Sequence, residues 1–562
     1  MKHLNIIASK HRGLIIIFFA MGLFISFLQN FGPRYFQTII DSFADGTLTM
    51  GSVAVYGAAL ILLYIMNYLH NYPWRKLEHS IRLGLKLAAL RKVSVIDYLA
   101  YTKLGTGVLI QRIENGAAAG GNILFNFKLN IMSNLLPAMV FSIIFVFTIN
   151  QVVMAALLVG YVVVFAVTNL LLRVLYKVKE RILVNEEKFN HFLVRGFMEM
   201  VVFRVNRRFV REIQKTEAAS GEIVSSTVKM SMVHEAFFTI FAVLIGFVKI
   251  GIIVYGWTAD ALTIGQIVAL VVLVDNAYQP IAIFNVLYVQ YKLDKIAFGR
   301  YTEFLDAKED NRLGQGDAIS GLRGDISFTQ IGFGYGGRGI FSDFNLRISK
   351  GTATAFVGES GSGKSTAVKL LMGLLQPDNG CIAVDGFDLR RVNLNSYYEN
   401  IVYLPQEPSI FDGSLRENLV FDEAVCDADL IAAINNVGLG GLYSKLEKGL
   451  DTPLGERGIT LSGGERQQLA LARLWFSDAA IVVLDEATSA IDNVTEEAVM
   501  TNVMARLRGK KVIAIAHRLD SIKAFDDIIV FQDGRVVERG GFDELLGKRR
   551  CFYELYNRSS GS

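Results

Sequence analysis

From the N-terminus to about residue 292 the chain runs in long apolar stretches. From about residue 322 onward, short apolar strands alternate with charged helical stretches, the pattern of an α/β domain in water. Six apolar runs lie near residues 14–33, 51–70, 131–150, 152–176, 236–257 and 264–291. Each reaches the length of about twenty residues that a hydrocarbon layer of about 30 Å asks of a helix. Pro137 and Pro280 interrupt two of them, which a bundle tolerates because neighbouring helices satisfy the freed carbonyls. The first run reads as a span and not as a cleavable leader, since five more follow it and no small-residue cleavage site does.

The charged loops give an orientation. Lys2, Lys10 and Arg12 precede the first run. Arg75, Lys76, Arg82, Lys86, Arg91, Lys92, Lys103 and Arg112 lie between the second and third, and Arg173, Lys177, Lys179, Arg181, Arg204, Arg207, Arg208 and Arg211 follow the fourth. The opposite connections carry almost no positive charge, so the basic loops and both termini are expected in the cytosol. The two basic loops are about 60 residues each and keep apolar residues at helical spacing, so the spans are expected to continue as helices and present a docking element. The expected organisation is a six-helix transmembrane domain at 1–293, a linker at 294–321 rich in Asp, Lys and Gly, and an α/β domain at 322–558. Ser559-Ser560-Gly561-Ser562 reads as an appended tail.

Composition narrows the class. Of 562 residues 52% are hydrophobic and 20% charged, with 38 Phe and only 8 Pro, which excludes disorder, collagen-like repeats and disulfide scaffolds. The lipid bilayer is therefore an expected partner. A net charge of +4 gives no case for nucleic acid. Cys381, Cys426 and Cys551 form no CxxC pair and meet no His at ligand spacing, so neither disulfides nor zinc are indicated.

Three motifs carry chemistry. Thr352–Val357 reads as a strand, and it runs into Gly358-Glu359-Ser360-Gly361-Ser362-Gly363-Lys364-Ser365-Thr366 and then the helical Ala367–Leu375. This is a P-loop in its required setting: glycines let backbone N–H groups converge on phosphate, and the helix N-terminus adds its dipole. Lys364 reaches the β and γ phosphates, and the Ser365 hydroxyl holds Mg2+. Ile481–Leu484 is a buried-strand run ending in Asp485-Glu486, where one carboxylate can hold Mg2+ through water and the next can polarise an attacking water. Between them, Leu461-Ser462-Gly463-Gly464-Glu465 opens a helix whose N–H groups face an anion. One nucleotide cannot use two anion sites at opposite ends of a domain, so the second implies a second protomer.

Together these motifs resemble the ABC ATPase family, and six spans ahead of one such domain resemble a half-transporter of the exporter-type (type IV) fold. The resemblance implies ATP and Mg2+ as cofactors and assigns further residues. Glu486 is the general base, Gln406 in Leu404-Pro405-Gln406 senses Mg2+ and γ-phosphate, and His517 is the switch histidine. Tyr335 stacks on adenine, Ser489–Asp492 forms the D-loop with Asp492, and Gly455–Gly458 is the X-loop. The ATP site then comprises Tyr335, Gly358, Ser360, Gly361, Gly363, Lys364, Ser365 and Thr366, with Ser462, Gly463, Gly464 and Asp492 from the facing protomer. Ser365, Gln406 and Asp485 serve the metal. Gly105-Thr106-Gly107 with Leu109 and Arg112-Ile113 resembles the stretch after the first coupling helix, placing that helix near Val95–Leu104, and Gly196–Val205 resembles the second.

The implied function is ATP-driven movement of a solute, most directly export, across the plasma membrane by a homodimer with two composite ATP sites, with a heterodimer of related chains as the alternative. Import of a metal-chelating compound, an ATP-gated channel and a membrane-tethered ATPase are the competing readings, and lipid, peptide, drug or chelate substrates all fit. Within the spans, Lys249 and Asp275 are expected at similar depth and within reach of each other. Gln29, Asn30, Gln37, Asn276, Gln279 and Asn285 are expected to form a polar strip.

Overall fold

The computed structural model covers residues 2–104, 106–259, 261–420, 425–455, 458, 461–516 and 518–560. It divides into two compact units, one of residues 1–94 and 104–307, the other of residues 95–103 and 308–562.

The first unit is helical. Its long helices are Arg12–Ala44, Met50–Val93, Gln151–Met198, Phe209–Ala259 and Ile264–Leu305, and a further stretch runs from Thr106 to Ile149 through two π-helical segments. Five of the six are long and apolar enough to cross a membrane. The fourth, Gln151–Met198, contains the run expected at 152–176, of which the apolar stretch Gln151–Val164 is fully described. The helices outlast the runs that predict them: 44 residues of Met50–Val93 measure about 66 Å, against a hydrocarbon layer of about 30 Å. Side-chain caps set the starts. Thr263 and Gln266 form a reciprocal capping box ahead of Ile264, and Asn150 Oδ1 accepts from Val152 and Val153 N–H at 2.9 and 3.1 Å. Pro137 sits where the π-helical Ile131–Leu135 passes into the α-helical Leu136–Ile149, and Pro280 is buried within its helix.

The last helix runs to Leu305, past residue 294 where a linker is expected. Phe298, Tyr301, Phe304 and Leu305 fall on one face of it and are all under a tenth exposed. Polar ties join the bundle: Ser142 Oγ donates to Asn30 Oδ1 at 2.6 Å, Asn276 Nδ2 to the Gln29 carbonyl at 3.2 Å, and Tyr278 Oη to the Leu157 carbonyl at 2.9 Å. Lys249 Nζ lies 2.6 Å from Asp275 Oδ1, so the two meet as their spacing predicts. Of the remaining polar-strip residues, Gln37 and Asn285 are buried and Gln279 is exposed. The segment expected as a second coupling helix holds the short helix Met200–Val205, anchored by buried Phe203 against Phe209, with Val201 and Val205 exposed.

The second unit is α/β. Its strands are β1 (Ile326–Tyr335), β2 (Arg338–Ile348), β3 (Ala353–Gly358), β4 (Asn379–Val384), β5 (Phe387–Asp388), β6 (Ile401–Leu404), β7 (Ile481–Asp485), β8 (Lys511–Ile515), β9 (Asp527–Gln532) and β10 (Arg535–Gly540). An antiparallel sheet has the order β2-β1-β4-β5. The main sheet runs β10-β9-β3-β8-β7-β6, parallel except for β10. Central strands read as unbroken apolar runs because both faces are covered: Ala355, Val357, Val482, Leu484 and Val512 enter one core, and Phe356, Ile481, Val483, Ile513 and Ile515 the other.

Residues 95–103 belong to this unit. Asp97 caps the short helix Tyr98–Thr102, and its N–H donates to the Lys308 carbonyl at 3.0 Å. Tyr98 and Leu99 pack on the core beside Tyr403, with Lys369 Nζ 5.9 Å from the Tyr98 ring centre. The connection after residue 308 is likewise docked. Buried Arg312 pairs with Asp310 at 2.7 Å and donates to the Gly373 carbonyl at 2.7 Å.

Candidate functional site

The P-loop leaves the C-terminal end of β3, and the acidic pair leaves that of β7, one strand removed. The crevice beyond these strand ends is where open parallel sheets hold ligands. Gly358, Gly361 and Gly363 have φ of 145°, 85° and 109°, and a Cβ on Gly358 would stand 2.2 Å from the Phe531 carbonyl oxygen, so only glycine fits there. Lys364 and Ser365 open the helix Lys364–Leu371, with Ser360, Gly361 and Ser365 exposed and Thr366 half-buried.

Lys364 folds back over the loop, donating to the carbonyls of Gly358 and Glu359 at 2.7 and 2.9 Å. Burial pushes its ammonium below the usual lysine range, with Glu486 and Asp485 opposing. The neighbouring Ser362 Oγ is buried without a hydrogen-bond partner among the described residues. A buried lysine and an orphaned hydroxyl inside a ring of glycines fit a phosphate chain.

Glu486 holds φ of 51°, a left-handed backbone that a residue with a Cβ adopts at a cost of about 1–3 kcal/mol. Its Oε2 accepts from Gln406 Nε2 at 2.6 Å. Asp485 Oδ2 accepts from Tyr403 Oη at 3.0 Å. Burial, then the Asp485 charge, raise the phenol's pKa and keep it a donor. The described residues thus bring Lys364, Asp485, Glu486 and Gln406 together, and Ser365, Gln406 and Asp485 have the hard oxygen donors that suit Mg2+.

Three residues that sequence reasoning did not single out complete this cluster: Ser362, Tyr403 and Gln467. Gln467, on the helix that Ser462 opens, is buried. Its Nε2 reaches the Gln406 carbonyl at 3.1 Å, the Glu486 carbonyl at 3.4 Å and Ser489 Oγ at 3.1 Å, and its Oε1 accepts from Ala490 N–H at 2.8 Å. Its signal in sequence is only a polar residue on the buried side of an amphipathic helix.

Ser462, Gly463 and Gly464 begin the helix Gly463–Ala472. Ser462 is exposed and forms a capping box with Glu465, and a Cβ on Gly464 would lie 2.9 Å from the Ala490 carbonyl oxygen. No hydrogen bond or ion pair among the described residues joins this helix start to the P-loop of the same chain. Asp492 caps the helix Asn493–Arg506 by accepting from Thr495 N–H at 3.0 Å, the bond that chiefly holds its carboxyl below the usual range. Tyr335 ends β1 beside a Gly336-Gly337 turn, is 38% exposed and meets Phe333 edge-on, leaving ring surface open. His517, and Glu456 and Arg457 of the X-loop, lie outside the described residues.

Residues 341–489 match the family described as ABC transporter. Over 361 residues, 63% of this chain and 60% of the relative, the chain is 32% identical to the uncharacterized ABC transporter ATP-binding protein YwjA of Bacillus subtilis. It is 27% identical over 98% of its length, and 77% of the relative, to the transport/processing ATP-binding protein ComA of Streptococcus pneumoniae. It spans less of other relatives, 20% of ABC transporter B family member 14 of Arabidopsis thaliana, at 38% identity over 45% of this chain. A bacterial Atm1-family ABC exporter solved with ATP bound superposes with a TM-score of 0.84 over 99% of both chains at 22% identity.

Proposed function

We propose that this chain, a half-transporter of the ABC family with the exporter-type fold, works as a dimer that binds and hydrolyses ATP to move a solute outward across the plasma membrane. One observation carries the proposal. The ATPase unit holds a phosphate-gripping loop with its acidic pair, and separately a glycine-rich helix start at Ser462–Gly464 that makes no hydrogen bond to its own P-loop among the described residues. A second copy supplies the missing half of each site.

In this arrangement the N–H groups of 358–366 and Lys364 grip the phosphates, Lys364 exchanging the Gly358 and Glu359 carbonyls for phosphate oxygens. Ser365, Asp485 and Gln406 would hold Mg2+, which would supply countercharge to the phosphates. Glu486 takes the proton of the attacking water, and Gln406, bonded to it, orients that water. His517 would donate to the γ-phosphate, Tyr335 would stack on adenine, and Ser462, Gly463, Gly464 and Asp492 would close the site from the partner. Closure and reopening of the paired sites would drive alternating access. Residues 95–103, drawn from between the second and third long helices and packed within the ATPase unit, support such coupling.

Glu486→Gln tests the assignment. Turnover should fall by at least about a hundredfold while ATP binding persists, since losing a general base costs roughly 10²- to 10⁴-fold. Near-normal phosphate release by the purified variant would remove Glu486 from this role.

A further inference from the structure

β6 is the edge strand of the main sheet, and the loop that carries Gln406 follows it. Alternation along the strand sends Val402 and Leu404 to one core and Ile401 and Tyr403 to the other. In the parallel pairing of β6 with β7, Tyr403 stands opposite Val483. Asp485, two residues further along β7, therefore lies on the same face one step beyond. This register brings the Tyr403 hydroxyl to Asp485 Oδ2, to which it donates at 3.0 Å. Packing asks only for an apolar side chain at residue 403, because the half-buried ring rests on the core that Tyr98 and Leu99 also join. The hydroxyl is an addition to what the core needs.

The partner of that hydroxyl sets Tyr403 apart from other tyrosines of the chain. Buried Tyr278, Tyr301 and Tyr397 donate to the main-chain carbonyls of Leu157, Leu85 and Leu371 at 2.9, 2.6 and 2.9 Å. A carbonyl is the ordinary means of satisfying a buried phenol. Tyr403 instead donates to a carboxylate that, with Ser365 and Gln406, offers the hard oxygen donors suited to Mg2+. A hydrogen bond to a charged acceptor is stronger than one to a neutral group. Carboxylates that serve a metal are themselves oriented by such hydrogen bonds from the layer behind them. The same short segment also reaches the other member of the acidic pair: three residues after Tyr403, Gln406 Nε2 donates to Glu486 Oε2 at 2.6 Å. One strand end and its loop thus hold both carboxylates.

We propose that Tyr403 is a positioning residue for ATP hydrolysis, its hydroxyl holding the Asp485 carboxylate in the orientation from which it serves Mg2+. The inference rests on the ATPase reading and deepens it. The Asp485 carboxylate turns about two side-chain bonds at the very end of β7, whereas the Tyr403 hydroxyl sits on a flat ring carried by a paired strand. The phenol is therefore the fixed member of the pair and the carboxylate the oriented one. Tyr403 acts through Asp485 alone, so its removal is felt where the metal is present and not in the grip of the P-loop on the phosphates.

Tyr403→Phe removes the hydroxyl and keeps the ring. The test measures binding of AMP-PNP, an ATP analogue that is not hydrolysed, to the purified full chain by calorimetry, once with Mg2+ and once with EDTA. In Mg2+ the variant should bind about tenfold more weakly than the unmodified chain, the lower end of the roughly 10- to 100-fold that partners behind metal ligands are worth. In EDTA the two should agree within about twofold. The Mg2+ concentration for half-maximal ATP hydrolysis should rise by a similar factor, and added Mg2+ should recover most of the lost turnover. Unchanged affinity in Mg2+ overturns the positioning role. So does an equal loss in both media, which is what a hydroxyl that only supports the fold would give. Should Tyr403→Phe not fold, Tyr403→Leu, which also lacks the hydroxyl, carries the same comparison. Failure of the unmodified chain to bind AMP-PNP in either medium would overturn the ATPase reading itself, whereas the two preceding results overturn the role of Tyr403 and leave that reading standing.

Discussion

Gln467→Met isolates a contact that holds the catalytic edge of the ATPase unit together. The substitution keeps length and near volume but removes four hydrogen bonds, of which those to the Ala490 N–H and the Gln406 carbonyl, on exposed residues that water can reach in part, are the least adaptable. The Glu486 carbonyl bond at 3.4 Å is long, and the Ser489 hydroxyl can rotate, so those two contribute less. At about 0.5–1.5 kcal/mol net for each of these two bonds, the expected loss is about 1–3 kcal/mol, distributed between domain stability and the placement of Gln406 against Glu486. If about a third to a half reaches the transition state, turnover falls roughly twofold to tenfold, at about 1.4 kcal/mol per decade. The KM for ATP should hold within about twofold, because Gln467 makes no bond to the P-loop. Steady-state ATPase rates across ATP concentrations separate the two parameters, and thermal unfolding reports the structural share. A variant that is destabilised yet turns over normally, or whose KM alone rises, would refute the positioning argument.

Lys511 is fully buried, donating to the Thr352 carbonyl and to the Thr352 and Thr354 hydroxyls at 2.6–2.8 Å, and burial pushes it from 10.5 down to about 7 against the pull of Asp527 and Asp526. The unfolded chain keeps that proton up to about pH 10.5, so between about 7 and 10.5 it binds more protons and stability rises with pH; below about 7 the penalty is fully present. Hydrogen exchange of the β8 amides from pH 7 to 9 should show this rise, at most about 1.4 kcal/mol per pH unit, and Lys511→Met should flatten it; an unchanged slope would count against it. In the bundle, Lys249→Met alone should destabilise the protein and Lys249→Met with Asp275→Leu should recover it if the pair only holds helices together. A folded double variant that hydrolyses ATP but has lost transport would instead place the pair on the solute route. A mixed dimer of one Lys364→Ala chain and one Ser462→Arg chain should retain one working site when both lesions meet at one interface, and isolated mixed dimers with no nucleotide bound would exclude a site shared between protomers.

Short-range features were legible in the one-dimensional pattern because their physics is local. Glycines at 358, 361 and 363 are demanded by positive φ, strands buried on both faces read as unbroken apolar runs, and a span declares itself by length. The Lys249–Asp275 pair was also legible, since a single turn joins two antiparallel helices and rise per residue sets the depths. The end of the last long helix was not, because the charged residues after 294 mask an apolar face at 298, 301, 304 and 305 that only burial reveals. Gln467, Tyr403 and Ser362 escaped for a different reason. Their roles depend on which loops converge: Gln467 matters because Gln406, Glu486 and Ser489, from three separate segments, meet around one buried amide.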